Sequence, residues 1–318
     1  MKLSEANDLC IKIQKMVFGN NTGPDEVNTY RYKETAETAH ENDVHTVNDI
    51  VYSSDYPNSV MDLWYPSDEK NLHTLIIYMH GGGMLFGDKA SGDPLAKNKG
   101  IVGLLQKLAE SGYTVASLNY VLAPEYIFPA QLKQIDQAIA FLKENQEKYR
   151  LNMKDFIIAG SSAGANLTGI YGTLLCNSEY REKTGIHPCV DPCLVRCLVI
   201  DEAVVGIHSS NEVLEAMLQT WVSEEDMETG ERSLMTDFPL WIKDGTLPSY
   251  IIASNQEPEF YRTALRIKER ADDLNVRNEM FYTAAEEESL SHGFLTKFDF
   301  SPSAALCLKE MMEFISEK

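Results

Sequence analysis

Two adjacent serines stand between glycines in the sequence GSSAG at residues 160–164. A serine hydroxyl becomes a nucleophile when it lies on a sharp turn from a strand into a helix and a histidine is within hydrogen-bond reach. Crowding at such a turn requires small residues two positions before and two positions after the nucleophile. Gly160 and Gly164 hold these positions around Ser162, whereas Ser161 has alanines there. The spacing therefore favours Ser162.

A nucleophile of this kind also needs hydrogen-bond donors for the oxyanion that develops on its substrate. The amide of Ala163 can serve, because it opens the helix that we expect after Ser162. A second donor can come from the glycine run HGGG at residues 80–83, which follows the apolar segment TLIIY. Glycine amides approach a small charged atom closely because no Cβ intervenes.

Seven histidines are candidates for the general base. His292, in SLSHGFL, follows the last strand-like segment, where the chain order nucleophile, acid, histidine places the base. The others lie in the glycine run, in polar upstream segments or beside the apolar run at 193–200: His80, His40, His45, His73, His187 and His208. Position therefore favours His292.

The acid that orients this histidine should lie between Ser162 and His292, just past a strand. Glu257, after the apolar segment SYIIASN, is the first choice. Asp201 and Glu202, which end the run CLVRCLVI, are the alternative.

These residues need a rigid support, and the chain predicts an α/β fold with a mostly parallel central sheet flanked by helices. Seven apolar runs predict strands, and several are apolar on both faces, as in parallel strands covered by helices: SVMDLWYP, HTLIIYMH, YTVASLNY, DFIIAG, CLVRCLVI, SYIIASN and NEMFYT. Amphipathic segments at 100–112 and 131–149 predict helices between them. Because no internal repeat or linker divides the sequence, we expect one domain over residues 1–318.

Two regions interrupt the alternation. Residues 1–50 are mostly polar and predict helices, and residues 203–247 carry helix signals without a clear strand. We expect both to form small cap elements beside the site, with peripheral packing away from the site as the alternative.

Charge and cysteine content exclude several classes of function. The formal net charge is -20, so the protein should repel nucleic acids and acidic membranes. The amino-terminal segment lacks the apolar run of a secretory signal, which favours a cytoplasmic location. Six scattered cysteines predict free thiols. A metal site built from Cys189, Cys193, Cys197 and His187 is disfavoured, because the run that contains Cys193 and Cys197 reads as a strand.

Five motifs in order resemble the α/β-hydrolase superfamily and, within it, the bacterial hormone-sensitive-lipase-like esterases. They are HGGG at 80–83, YVLAPE at 120–125, GSSAG at 160–164, EP at 257–258 and HGF at 292–294. The resemblance covers roughly residues 60 to 300. The chain departs from the family at Glu257, where an aspartate is usual, at Ser161, where the family has aspartate, and at Val121, where it has arginine.

The resemblance implies Ser162 as nucleophile, His292 as base, Glu257 as orienting carboxylate, and the amides of Gly82, Gly83 and Ala163 as the oxyanion hole. With these roles, the expected reaction is ester hydrolysis through an acyl-enzyme, which needs no cofactor and no metal. Because the sequence shows no long apolar lid and the charge is negative, a small-molecule, short-chain carboxylic ester is the first expectation, such as an acetyl ester of a carbohydrate or small alcohol. An amidase or arylformamidase, a peptidase, and a non-catalytic binder on the same fold are the alternatives.

Overall fold

Within the part of the chain that the computed structural model describes, a nine-stranded sheet forms the centre, in the order β1-β2-β3-β5-β4-β6-β7-β8-β9. The structure describes residues 1–20, 22, 24–29, 36–39, 44–67, 71–90, 100–206, 208–223, 225, 228, 230–243 and 245–317. The strands are β1 Ala36–Ala39, β2 His45–Val51, β3 Val60–Tyr65, β4 Thr74–Met79, β5 Thr114–Leu118, β6 Asn152–Ser161, β7 Val195–Asp201, β8 Ser249–Ile252 and β9 Asn278–Phe281. Pairing is antiparallel from β1 through β3 to β5 and parallel across the rest of the sheet.

Helices cover both faces of the parallel strands. In chain order they are α1 Leu3–Phe18, α2 Pro24–Val27, α3 Gly100–Glu110, α4 Ala130–Glu144, α5 Ala163–Cys176, α6 Ser178–Thr184, α7 Glu212–Gln219, α8 Glu231–Thr236, α9 Pro258–Asp273 and α10 Pro302–Ser316. Short 3₁₀ turns occupy Pro192–Leu194, Phe238–Trp241 and Phe294–Lys297.

The alternation of side chains along β4 shows why the central strands are apolar throughout. Leu75 and Ile77 belong to the core that includes α4 and α5, whereas Ile76 and Tyr78 belong to the core that includes α3 and α10. Successive strand residues point to opposite faces, so a strand between two helical layers buries every position. Packing on both faces therefore holds in place the strand ends that carry the candidate site residues.

All seven predicted strands are present, and both predicted helices correspond to α3 and α4. The helical prediction for residues 1–50 holds for α1 but is wrong further along, where β1 and β2 extend the sheet. β2 has partly exposed positions and a register shift between Val47 and Ile50, and its sequence HTVNDIV lacks a continuous apolar run. Between 203 and 247 the described residues include α7, α8 and a 3₁₀ turn and no strand, as predicted, and α7 packs against α1. None of the helices described is long and apolar enough to cross a membrane.

Candidate active site

Ser162 lies at the turn between β6 and α5, with φ 55° and ψ -116°. Non-glycine residues rarely adopt a positive φ, so neighbouring contacts must hold this conformation. The Ser162 amide donates to the carbonyl of Asp201 at 2.7 Å. A Cβ on Gly160 would overlap the Gly164 carbonyl, and one on Gly164 would overlap the Met79 carbonyl. The close approach of these backbones explains the glycine spacing.

The glycine run passes directly beside this turn. A Cβ built on Gly81 would lie 3.2 Å from the Ser162 Cβ. Gly82 has φ 110°, and its Cβ would overlap the carbonyl of Phe86. Gly82, Gly83 and Ala163 line the cavity that also contains Ser162. The two backbone segments that carry the expected oxyanion donors therefore converge on the serine.

A buried ion cluster fixes the chain after the glycine run. The ammonium of Lys89 lies 2.9 Å from both Asp49 Oδ1 and Asp62 Oδ1, and all three side chains are nearly inaccessible. The Lys89 amide also donates to the Asn119 side chain, and its carbonyl accepts a hydrogen bond from Ser117. These bonds tie the loop to β2, β3 and β5.

Two buried glutamines support the segment YVLAPE, where the resembling family has arginine in place of Val121. The Val121 amide donates to Gln134 Oε1 at 2.7 Å, and Gln131 Nε2 donates to the Val121 carbonyl at 3.1 Å. Trp221 Nε1 donates to Gln131 Oε1 at 2.9 Å. Side chains of α4 thus support this loop and connect it to the cavity wall.

His292 is brought to Ser162, as predicted from chain order. Its Nε2 lies 3.0 Å from Ser162 Oγ. The imidazole stacks on Phe260 with ring centroids 4.3 Å apart and planes 3° apart. By contrast, the ring of His80 is buried and stacks on Tyr120. His40 lies outside the described residues.

Glu202 is the carboxylate that faces the other imidazole nitrogen. His292 Nδ1 lies 3.1 Å from Glu202 Oε2, and the Glu202 side chain is 0% exposed. The same oxygen accepts the Gly293 amide at 2.6 Å. Nδ1 and Glu202 Oε2 are close enough for an ion pair, but they are not aligned for a hydrogen bond. Such poorly aligned contacts are common in active sites without substrate.

Glu257 occupies a different position from the one predicted. Its Oε2 accepts the backbone amide of His292 at 3.2 Å, so it supports the loop and does not face Nδ1. Glu257 precedes the first turn of α9, whereas Glu202 continues from β7 with φ 60° toward the imidazole. The geometry therefore favours the second member of the alternative pair, Glu202. Asp201 is buried beside it and contributes its carbonyl to Ser162.

The surrounding carboxylates control the charge of the imidazole. Burial disfavours the cation of His292, but Glu202, Asp201 and Glu257 outweigh burial and raise its pKa to about 9. Burial, followed by repulsion from Glu202, raises the pKa of Asp201 to about 7. The site therefore favours an imidazolium over a neutral imidazole.

A cavity of about 300 Å³ opens at Ser162 and His292. One wall comes from α7, where Leu214, Met217 and Leu218 present apolar side chains. A Cβ on Gly83 would lie 2.5 Å from Met217 Sδ, so this thioether packs directly on the glycine run. The apolar spacing of α7 is visible in the sequence, but its position over the cavity is not.

The BD-FAE family model matches residues 61–220, which is half of the chain. Among curated proteins, the chain is similar to Esterase LipC of Mycobacterium tuberculosis, with 26% identity over 59% of the chain. The matched region spans 40% of the length of that relative.

Solved structures share the fold. Esterase B from Lactobacillus rhamnosis superposes with a TM-score of 0.74 and 17% identity, covering 98% of this chain and 95% of that one. A truncated carbohydrate esterase from gut microbiota gives a TM-score of 0.66 and 18% identity, covering 88% of this chain and 99% of that one. The chain therefore has the α/β-hydrolase fold predicted from its motifs.

Proposed function

This chain belongs to the BD-FAE family, and from that premise we propose that it is a serine esterase cleaving short-chain carboxylic esters. The observation that carries the proposal is the 3.0 Å approach of His292 Nε2 to Ser162 Oγ, with the Glu202 carboxylate at the opposite ring nitrogen. A serine, a histidine and a buried acid in this relation form a nucleophile–base–acid triad.

In the proposed reaction, Ser162 Oγ attacks the ester carbonyl carbon while its proton passes to His292 Nε2. Glu202 holds the proton on Nδ1 and stabilises the imidazolium. The amides of Gly82, Gly83 and Ala163 donate to the oxyanion of the tetrahedral intermediate. Collapse of the intermediate breaks the bond to the alcohol oxygen, which takes the proton from Nε2.

The acyl-enzyme is then hydrolysed by the same groups. His292 removes a proton from water, the hydroxide attacks the acyl carbon, and Ser162 Oγ leaves with the proton returned by Nε2. The carboxylic acid is released, and no external oxidant, reductant or cofactor enters the balance.

Cavity size and chemistry support a short acyl chain. A space of about 300 Å³ lies at the lower end of small-molecule sites. Apolar side chains of α7 line the cavity, and Glu257 and Glu259, which also line it, disfavour anionic substrates. A neutral acetyl ester fits these conditions, and the carbohydrate esterase among the structural neighbours supports a sugar or small polyol as the alcohol.

The first experiment compares p-nitrophenyl acetate, butyrate and octanoate on the intact chain, Ser162→Ala and Ser161→Ala. We expect turnover with acetate and butyrate, weak turnover with octanoate, and a loss of at least roughly 10⁴-fold in Ser162→Ala only. Ser161→Ala is the matched control, because it removes the neighbouring hydroxyl. An equal loss of activity in both variants, or unchanged activity in Ser162→Ala, would refute the assignment of the nucleophile.

The matched amides test the bond that is cleaved. A p-nitroanilide with the same acyl group requires the nitrogen leaving group to be protonated, and a cavity suited to an ester should turn it over at least tenfold more slowly. Faster turnover of the anilide would favour the amidase alternative.

A further inference from the structure

A second cavity, of about 320 Å³, lies at the opposite end of the sheet from Ser162. The nucleophile follows the carboxyl end of β6, whereas this cavity lies where β4 and β5 begin and where β3 ends. We call it the basal pocket. The side chains that define it are His45, Tyr65, His73, Lys148, Tyr149 and Arg150.

Aromatic rings form fixed walls in the basal pocket. His45 and Tyr65 are paired residues of β2 and β3, and their rings stack with centroids 4.8 Å apart and planes 9° apart. The Tyr65 hydroxyl donates to the Tyr149 carbonyl at 2.8 Å, which fastens the sheet to the segment after α4. These contacts hold flat surfaces in place before any ligand binds.

The charge of the basal pocket opposes that of the protein. The chain carries a formal net charge of -20, yet the described lining contains Lys148 and Arg150 and no Asp or Glu. The Lys148 ammonium lies 4.6 Å from the centre of the Tyr149 ring. A concave site lined by one sign of charge concentrates ions of the other sign.

We propose that the basal pocket binds an aromatic carboxylate. A planar guanidinium such as that of Arg150 pairs with a carboxylate through two parallel hydrogen bonds. The rings of Tyr65, Tyr149 and His45 line the basal pocket, and an aromatic ligand can contact such rings in offset or edge-to-face arrangements. The volume of about 320 Å³ accommodates a single-ring acid.

The probe for this pocket is benzoate, and the readout is the ¹H NMR signals of the His45 and His73 imidazoles. With nine non-hydrogen atoms, benzoate should bind with a Kd on the order of 1 mM. We expect both imidazole signals to shift and saturate in that range. Benzyl alcohol, which lacks the charge, and cyclohexanecarboxylate, which lacks the flat ring, should each bind at least roughly tenfold more weakly. Inorganic phosphate tests whether any anion suffices.

Two variants locate the binding site. Lys148→Gln with Arg150→Gln should weaken benzoate binding by roughly 10-fold or more, because two cationic donors are lost. Lys133→Gln, an exposed lysine at the other end of α4, is the matched charge control and should leave the Kd unchanged. All three positions are exposed, so thermal unfolding should confirm that the variants remain folded.

Three results would overturn the proposal. The first is that the His45 and His73 signals stay fixed up to benzoate concentrations on the order of 10 mM. The second is that Lys133→Gln weakens benzoate binding as much as the Lys148→Gln, Arg150→Gln double variant does. The third is that phosphate or cyclohexanecarboxylate binds as tightly as benzoate, which would reduce the site to a general anion patch. Because the readout is binding at residues remote from Ser162, the result does not depend on esterase activity.

Discussion

Replacing Glu202 with glutamine tests the geometry around the histidine most directly. A Glu202 carboxylate 3.1 Å from Nδ1 attracts the imidazolium by roughly 5 kcal/mol at an effective dielectric constant of about 20. The His292 side chain is 34% exposed, so water screens part of this energy. One pKa unit corresponds to about 1.4 kcal/mol. After screening, removing the Glu202 charge should therefore lower the pKa of His292 by roughly 1 to 2 units.

The rate should fall for a second reason. The amide nitrogen of glutamine would donate to Nδ1 and place the imidazole proton on Nε2, where it cannot accept the proton of Ser162. An equivalent exchange in other triads costs on the order of 10⁴-fold in kcat. We therefore expect Glu202→Gln to combine a large loss of kcat with a shifted pH profile.

The assay is kcat/KM for p-nitrophenyl acetate across pH about 5.5 to 9.5. Only neutral imidazole accepts a proton, so activity should fall as pH decreases through the raised pKa of about 9. In Glu202→Gln this acid limb should move to lower pH. Glu257→Gln is the matched control, because its amide oxygen can still accept the His292 amide. A large loss in Glu257→Gln with a nearly normal Glu202→Gln would refute the assignment.

Three further changes test the support of the site. Gly82→Ala should lower kcat by roughly 10²- to 10³-fold, because a Cβ would displace the loop that carries the oxyanion donors. Gly103 has free space for a Cβ, so Gly103→Ala is the control and should leave kcat unchanged. Similar kcat values in the two variants would contradict this prediction. Asp62→Ala should lower the free energy of unfolding, measured in urea, by about 3–5 kcal/mol, because the buried Lys89 charge loses one of its two carboxylate partners. A change below about 1 kcal/mol would show that the protein does not need this partner for stability. Met217→Ala should raise the octanoate-to-acetate ratio of kcat/KM, and an unchanged ratio would place the acyl group elsewhere.

Local sequence signals predicted the parts of the molecule that depend on local geometry. Buried parallel strands need apolar residues on both faces, so β4, β6 and β7 were visible as apolar runs. The glycines around Ser162 were equally visible, because a crowded turn restricts residue size at fixed positions. β1 was missed because its four residues, AETA, contain no large apolar side chain. β2 was missed because it has no continuous apolar run and resembles other polar segments.

The choice between carboxylates could not be made from sequence, because it depends on contacts distant along the chain. Glu202 and Glu257 both follow parallel strands. The difference lies in the positive φ and complete burial of Glu202, and in the position of Glu257 before α9. The stacking of Phe260 on His292 is likewise a tertiary contact, although HGF at 292–294 and the nearby EP motif marked the two segments that meet.

The packing of Met217 on Gly83 has a consequence for the chemical durability of the protein. Met217 is partly exposed in the cavity, where peroxide can reach its sulfur. Conversion to the sulfoxide adds a polar oxygen to a thioether that already fills the space beside the glycine run. Exposure to peroxide should therefore inactivate the protein without unfolding it. Methionine sulfoxide reductase should restore activity, and Met217→Leu should confer resistance.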